Sequence, residues 1–368
     1  MNGYKCNGGQ MAELKHGGDI YSKRNIPLDK KLVDFSANIN PLGLPAAAKK
    51  AILENMDAFS SYPDPICRDL VKVIAEKEGV PEEYIICGNG AADLIYRLAA
   101  GIKPGSALVT APAFSEYEDA VKAFGGSISY FPLEEEKDFN LDQSILKHIT
   151  PGFDLMFLCN PNNPTGGLAQ KELILEIAQG CKACNTILAV DECFMDFLED
   201  GKEFSIIDRL DEFDNVVVIK AFTKIYAMAG IRLGYAISSN PAITGLLNAS
   251  GQPWSVSTVA QKCGIAAVGE SGYLSETRRL IKVNRGYLAD ELQKLGMRVY
   301  QAAAGTNYIL FRTETAKLAE ELEQYGILIR SCGNYKGLDE SYFRIAVKAE
   351  EDNEYLIECL KEIFNRQK

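Results

Sequence analysis

Short apolar runs alternate with stretches of helical spacing from about residue 46 onward. Four of these runs are four or five residues long, aliphatic or β-branched, and followed at once by a polar residue or glycine. They cover residues 84–87, Leu155–Cys159, 187–190 and 216–219. Runs of this kind are typical of strands that are buried on both faces. The alternation therefore predicts a doubly wound α/β sheet.

The pattern changes near Pro241, where a long helical stretch continues to about Leu295. Strand-like runs then alternate with two helices, at Tyr308–Arg312, 327–330 and 342–347. This change predicts a second, smaller α+β domain. We therefore expect an N-terminal arm over residues 1–45, a large domain over 46–250, and a linker helix with a small C-terminal domain over 251–368.

Charge and length limit the classes of partner. The 368 residues carry a formal net charge of −11, with 47% hydrophobic and 24% charged residues, which is ordinary for a globular chain. A field of this sign repels nucleic-acid backbones. Any anionic substrate must therefore be bound by local arginines.

Cysteine and histidine usage narrows the chemistry further. The ten cysteines are scattered through apolar segments, which indicates a reducing cytosol rather than a secreted disulfide framework. Cys181 and Cys184 form a CxxC without a second pair or a nearby histidine, so we expect no metal site there. Two histidines, His16 and His148, are too few for the usual metal hydrolases. We see no apolar run long enough to span a bilayer and no apolar leader in the first twenty residues. A cytoplasmic enzyme is expected.

Polar residues come directly after the predicted strands. In open α/β sheets, ligands bind at these carboxyl ends of the strands. A Gly-Asn-Gly turn at residues 88–90 precedes a helix that begins near Ala91, and bare amides at a helix start bind phosphate. Residues 160–166 contain two prolines that make the intervening asparagines rigid. Asp191 follows the third run, where a buried carboxylate needs a cationic partner such as a protonated pyridine nitrogen. Each feature alone also fits a plain turn or a helix cap.

The fourth run supplies a nucleophile and a cation. Lys224 lies just beyond it, where burial lowers the pKa of an amine and favours attack on an aldehyde. Arg232, eight residues further on, can bind a phosphate. Pyridoxal 5′-phosphate requires four groups in its binding site, and this sequence offers all of them: a lysine that reacts with its aldehyde, a carboxylate for its pyridinium nitrogen, a rigidly held amide, and a turn that binds its phosphate.

These segments resemble the fold type I pyridoxal-phosphate enzymes over essentially the whole chain, in the branch of the histidinol-phosphate aminotransferases. The resemblance implies that Lys224 carries the cofactor as a Schiff base and that Asp191 pairs with the pyridine nitrogen. It also implies that Asn163 hydrogen-bonds the phenolic O3′ and that Phe114 stacks on the ring. We expect the N-terminal arm to contribute to this site.

The same resemblance assigns the cofactor phosphate to the amides of Gly90 and Ala91, to Thr223 and Arg232, and to Tyr62 reaching across a homodimer interface. The chain also departs from the family pattern at three positions. Phe194 stands where aminotransferases commonly have a tyrosine, Ala221 replaces a hydroxyl residue, and Lys220 replaces an arginine.

Four segments resemble the L-threonine O-3-phosphate decarboxylases of cobalamin synthesis more than the aminotransferases. They cover residues 16–19, 34–43, 252–256 and 329–335, with Asp19 in place of the usual asparagine. The likeness implies substrate contacts from His16, Asn40, Arg330 and Arg344. The expected reaction is decarboxylation of O-phospho-L-threonine to 1-amino-2-propanol O-phosphate.

Other reactions and classes stay open at this stage. O-phospho-L-serine differs by one methyl group, which is worth only about 1–3 kcal/mol in a pocket. Histidinol-phosphate transamination would use the same cofactor residues. A nicotinamide-dependent dehydrogenase is disfavoured because no GxGxxG follows the first strand. A non-catalytic binding module is disfavoured because Lys224, Asp191 and Asn163 are all present.

Overall fold

The computed structural model describes residues 16–21, 26–27, 30–300, 305–315 and 317–366. Its largest sheet has seven strands in the order β2-β8-β7-β6-β5-β3-β4. These strands are β2 Ile85–Gly88, β3 Ser106–Ala111, β4 Ser127–Pro132, β5 Leu155–Cys159, β6 Ile187–Asp191, β7 Val216–Ala221 and β8 Gly234–Ile237. β8 runs antiparallel to both of its neighbours, and all the other pairs are parallel. The expected doubly wound α/β sheet is confirmed.

The four apolar runs lie in β2, β5, β6 and β7. Every residue of β5 and β7 is buried, because helices cover both faces of the sheet. The sequence pattern did not single out β3, β4 and β8. β4 lies at the sheet edge with alternating exposed and partly buried residues, so it lacks the continuous apolar run that marks the central strands.

Helices on the two faces of this sheet are mostly amphipathic. They are α1 Ala46–Glu54, α2 Arg68–Glu78, α3 Ala91–Ile102, α4 Glu116–Ala123, α5 Lys171–Ala183, α6 Gly201–Phe204 and α7 Phe222–Ile225. α3 begins at Ala91, as predicted from the Gly-Asn-Gly turn. Two hydrophobic clusters, one on each side of the sheet, form the core.

The long helical stretch expected between Pro241 and about Leu295 is present but interrupted twice. The structure has three helices there, α8 Pro241–Ala249, α9 Thr258–Val268 and α10 Tyr273–Lys294. The first break holds Gly251 and Pro253, and the second ends at Gly272 with φ +91°, a left-handed conformation that suits glycine.

The C-terminal part contains a four-stranded antiparallel sheet in the order β12-β13-β10-β9. Its strands and helices are β9 Arg298–Tyr300, β10 Tyr308–Arg312, α11 Leu318–Glu323, β12 Arg330–Ser331, β13 Tyr342–Ala346 and α12 Glu350–Arg366. The predicted strand at 327–330 is divided. Its first part, β11 Ile327–Leu328, pairs in parallel with β1 Val33–Asp34 instead.

The β1–β11 pairing anchors the start of the chain against the C-terminal part. The backbone N–H of Asn40 then donates to the carbonyl of Lys224 at 3.1 Å. Residues 34–40 are thereby brought to the edge of the large sheet where β6 and β7 end. The division into an arm, a large domain and a small domain stays a prediction. Among the described residues, no helix combines the length and apolar content that crossing a membrane requires.

Candidate active site

A cavity of about 180 Å³ lies at the carboxyl ends of the central strands. Nine residues predicted from the sequence contribute to its lining: His16, Ala91, Phe114, Asn163, Asp191, Thr223, Lys224, Arg232 and Arg344. The cavity therefore lies where ligands bind in sheets of this kind.

Lys224 lies in the short helix α7, directly after β7. Burial, and secondly the charge of Arg344, lower the pKa of its amine from 10.5 to about 8. At pH 7 about a tenth of an amine with this pKa is neutral, far more than for an ordinary lysine, and the neutral form is the nucleophile. Lys224 can therefore attack an aldehyde.

Asp191 ends β6 and is only 5% exposed. The hydroxyl of Tyr117 donates to its Oδ2 at 2.6 Å, and the backbone N–H of Cys193 donates to its Oδ1 at 2.9 Å. Each carboxylate oxygen accepts one such bond and keeps a further lone pair for a cationic donor. The sequence did not predict the role of Tyr117, although its position three residues after Phe114 on α4 is a usable signal.

The turn before α3 forms a cup for an anion. Gly90 has φ +83°, and a Cβ at this position would lie 2.7 Å from a guanidinium nitrogen of Arg232. A Cβ at Gly234 would lie 2.8 Å from the amide nitrogen of Ala91. The two glycines thus allow the guanidinium and the start of a twelve-residue helix to approach each other closely. Backbone amides at such a helix start attract phosphate.

Asn163 and Arg344 are joined by a hydrogen bond in which the guanidinium donates to Asn163 Oδ1. Arg344 also donates to the carbonyl of Ser36 at 2.7 Å. Its Nε is buried and has no hydrogen-bond partner among the described residues. Oδ1 of Asn163 can only accept, so its amide nitrogen is the group that can donate to a ligand oxygen.

His16, Gly17 and residues 36–38 close one side of the cavity. A Cβ at Gly17 would lie 2.1 Å from the carbonyl oxygen of Ser36, so only glycine allows this close packing. His16 lies with Nε2 2.6 Å from a carboxylate oxygen of Glu116 and with its ring centroid 5.6 Å from that of Phe114. The arm therefore delivers an imidazole to the mouth of the cavity.

Asn40 is not part of the cavity lining, which corrects the expectation of a substrate contact. Its amide donates at 2.7 Å to both the carbonyl of Ile225 and the hydroxyl of Thr277, so it supports the turn that carries Lys224. Asn38, two residues earlier, lines the cavity instead. Asn38 is 2% exposed, and its Oδ1 has no partner within the described structure. Sequence reasoning missed it because the motif alone does not tell which asparagine faces inward.

Arg330 also lies outside this cavity. Its guanidinium donates at 2.8 Å to the carbonyl of Ser331 and to Oδ1 of Asn334, and it lies over the ring of Tyr335 at 5.3 Å. It lines a smaller neighbouring cavity that shares Phe114 and Tyr335 with the first. The structure therefore places Arg330 beside the site rather than in it.

Tyr62 is 80% exposed and stacks on Trp254 with 4.6 Å between ring centroids. It is not part of this chain's cavity lining. Its predicted reach across a dimer interface stays a prediction.

The structure shows what surrounds each of the three residues that depart from the family pattern. Phe194 and Ala221 line the cavity and bring no hydroxyl to it. Lys220 points away into a buried ionic cluster, 2.7 Å from Asp196 and 3.2 Å from Glu78. Lys220 therefore retains the positive charge of the arginine that it replaces.

A family model for class I and II aminotransferases matches residues 30–360. The chain therefore belongs to this family, whose members work with pyridoxal 5′-phosphate.

Two solved structures and one curated protein show the likeness in detail. The chain is 36% identical to the threonine-phosphate decarboxylase of Salmonella typhimurium over 354 residues, covering 95% of this chain and 96% of the relative. The histidinol-phosphate aminotransferase structure from Clostridium acetobutylicum has a TM-score of 0.84 and 32% identity, covering 91% of this chain and 100% of that one. The L-threonine-O-3-phosphate decarboxylase structure from Porphyromonas gingivalis has a TM-score of 0.78 and 27% identity, covering 90% and 99%.

The cavity residues fit pyridoxal phosphate. The amine of Lys224 suits the aldehyde, the carboxylate of Asp191 suits a protonated pyridine nitrogen, and the glycine-lined cup at α3 suits the phosphate. The half-buried ring of Phe114 supplies an aromatic wall.

Proposed function

We propose that the protein decarboxylates O-phospho-L-threonine, releasing CO₂ and 1-amino-2-propanol O-phosphate. The charge of the cavity carries this proposal. In a chain of net charge −11, the described lining brings Lys224, Arg232, Arg344 and His16 together with the carboxylate of Asp191, while Glu116 pairs with His16 from outside the lining. With Arg232 at the cofactor phosphate, Arg344 and His16 remain for the two anionic groups of an amino-acid phosphate.

The substrate carboxylate is assigned to Arg344. Arg344 lines the cavity and is only 5% exposed, so its guanidinium offers a charged donor to a carboxylate bound there. The amide of Asn38 lines the same cavity and adds a polar contact. The substrate phosphate is assigned to His16, which Glu116 holds at the cavity mouth. Together these contacts orient the bond that must break.

When bound, pyridoxal phosphate supplies an electron sink for the pair released at Cα of the substrate. Asp191, fixed by two hydrogen bonds, holds the proton on the pyridine nitrogen. The net reaction replaces the carboxylate at Cα with a proton. Lys224, with a pKa of about 8, is the group in the lining suited to deliver that proton.

The direct test incubates cofactor-loaded protein with O-phospho-L-threonine and no oxo-acid, and measures CO₂ and aminopropanol phosphate. We expect both in equal amounts, and loss of both in Lys224→Ala. Lys182→Ala is the matched control, because Lys182 pairs with Asp214 on the surface, away from the cavity. Absence of CO₂ from the wild-type protein would contradict the proposal.

Two other substrates are tested in the same assay. O-phospho-L-serine uses the same anion contacts, so the ratio of the two kcat/KM values decides between them. Histidinol-phosphate transamination is the second candidate because of the 32% identical Clostridium structure. Formation of glutamate from histidinol phosphate and 2-oxoglutarate, without CO₂ from phosphothreonine, would favour it.

We also propose a homodimer in the cytoplasm that takes part in cobalamin synthesis. Exposed apolar side chains lie near the proposed interface residue Tyr62 in the sequence, with Met56 at 61% and Ile66 at 56% exposure. Apolar patches of this kind mark protein contacts. The nine described cysteines are all free, which suits a reducing compartment. Light scattering at working concentration tests the dimer, and monomeric active protein would refute it.

A further inference from the structure

Tyr117 connects two parts of the site that lie on different elements. It is fully buried on α4, and its hydroxyl donates to Asp191 Oδ2 at 2.6 Å. Its ring stacks on Phe157 with centroids 4.8 Å apart and planes at 11°, and meets the ring of Phe114 edge-on at 5.7 Å. One side chain thus contacts both the acidic residue and the aromatic wall of the cavity.

The hydroxyl of Tyr117 is a permanent donor. Burial and the neighbouring Asp191 raise the pKa of Tyr117 well above its usual value, so it stays protonated. The other oxygen of Asp191 accepts from a backbone amide, which allows little adjustment. Rotation of the carboxylate about its last bond is therefore opposed by the Tyr117 hydroxyl, whose own ring is fixed by the stack on Phe157.

We infer that Tyr117 is a positioning residue that fixes the carboxylate of Asp191 relative to the ring of Phe114, and so sets where the pyridine ring of the cofactor lies. The inference rests on the proposed cofactor roles of Asp191 and Phe114. Residues that orient a catalytic group through a hydrogen bond act in this way in other enzymes.

The competing explanation is that Tyr117 only fills the core. Tyr235 provides a matched control for it, because Tyr235 is 2% exposed and its hydroxyl donates to the buried Glu78 at 2.6 Å. Tyr235 does not line the described cavity. Tyr117→Phe and Tyr235→Phe remove the same atom from the same kind of buried tyrosine–carboxylate pair, and both keep the ring.

The experiment records the visible absorbance of the bound cofactor against pH, together with kcat, KM and the melting temperature, for both variants. For Tyr117→Phe we expect a shift of about one pH unit in the midpoint of the visible band. We also expect kcat to fall on the order of tenfold with KM nearly unchanged, the loss of one hydrogen bond to a charged group. Tyr235→Phe is expected to lower the melting temperature without moving the band.

Two outcomes distinguish failure of the proposed cofactor roles from failure of the inference about Tyr117. If the wild-type protein develops no visible band with pyridoxal phosphate, the proposed cofactor roles fail and the inference fails with them. If the wild-type band forms normally and Tyr117→Phe matches Tyr235→Phe in band midpoint and kcat, the cofactor roles stand and Tyr117 is only structural.

Discussion

The rate at which the apoprotein captures pyridoxal phosphate should report the pKa of Lys224. Burial is the largest cause of its lowered pKa, and the nearby charge of Arg344 is the second. Only the neutral amine attacks the aldehyde, so capture should accelerate with pH and level off above about pH 8. Arg344→Gln removes the second cause and leaves the first.

The size of the expected change in capture rate follows from the pKa shift of Lys224. Lowering the pKa from 10.5 to about 8 disfavours the ammonium form by about 3 kcal/mol. At pH 7 the neutral fraction is then roughly 300 times that of an ordinary lysine. In Arg344→Gln the pH at which the capture rate reaches half its maximum should rise but stay below 10.5, because the amine of Lys224 is still buried.

Stopped-flow growth of the visible band, from about pH 6.5 to 10, measures this midpoint. Arg330→Gln is the matched control, since Arg330 lies outside the cavity lining and is not among the causes of the Lys224 shift. We expect its midpoint to equal that of the wild type. A wild-type rate that still rises tenfold per pH unit above pH 9, or an unmoved midpoint in Arg344→Gln, would refute the reasoning.

Substitutions at Lys220, Asn38 and Glu116 test three further contacts. Lys220→Met should lower the free energy of unfolding by about 3–5 kcal/mol in denaturant titrations, because it removes a cation that pairs with buried carboxylates. Lys220→Arg keeps the charge and should lower this free energy much less. Asn38→Ala should raise KM for the phosphorylated substrate about tenfold with the cofactor band intact, whereas Asn40→Ala should mainly lower the melting temperature. Glu116→Gln should raise the same KM several-fold by loosening His16, and an unchanged KM would exclude this positioning role.

Much of the large sheet could be predicted because its central strands are buried on both faces. β5 and β7 are continuous apolar runs and stand out without any knowledge of the fold. β4 could not be recognised in this way, since its partly exposed face breaks the run. The breaks between α8, α9 and α10 were missed because helical spacing continues across them, although Gly251 and Pro253 signal the first.

The cofactor side of the site was predictable for a related reason. Asp191, Asn163 and Lys224 lie within a few residues of strand ends, so the sequence position fixes their place on the sheet edge. Tyr117 and Asn38 have no such link, because their contacts depend on how α4 and the N-terminal segment pack against the sheet. Arg330 lines the smaller of two adjoining cavities, since a strand end on the smaller sheet can face either one, and its predicted substrate contact stays a prediction.

The residues proposed to orient the substrate come from three parts of the chain, and Arg344 joins them. Its guanidinium binds Asn163 in the loop after β5 and the carbonyl of Ser36 in the segment after β1, while Arg344 itself belongs to β13. Gly17 packs against the same Ser36 carbonyl, so the arm that carries His16 rests on a group held by Arg344. A change in any of these contacts is therefore expected to alter the proposed carboxylate and phosphate contacts together. The choice between losing CO₂ and losing the Cα proton depends on this shared arrangement, which explains why sequence motifs identify the cofactor more firmly than the reaction.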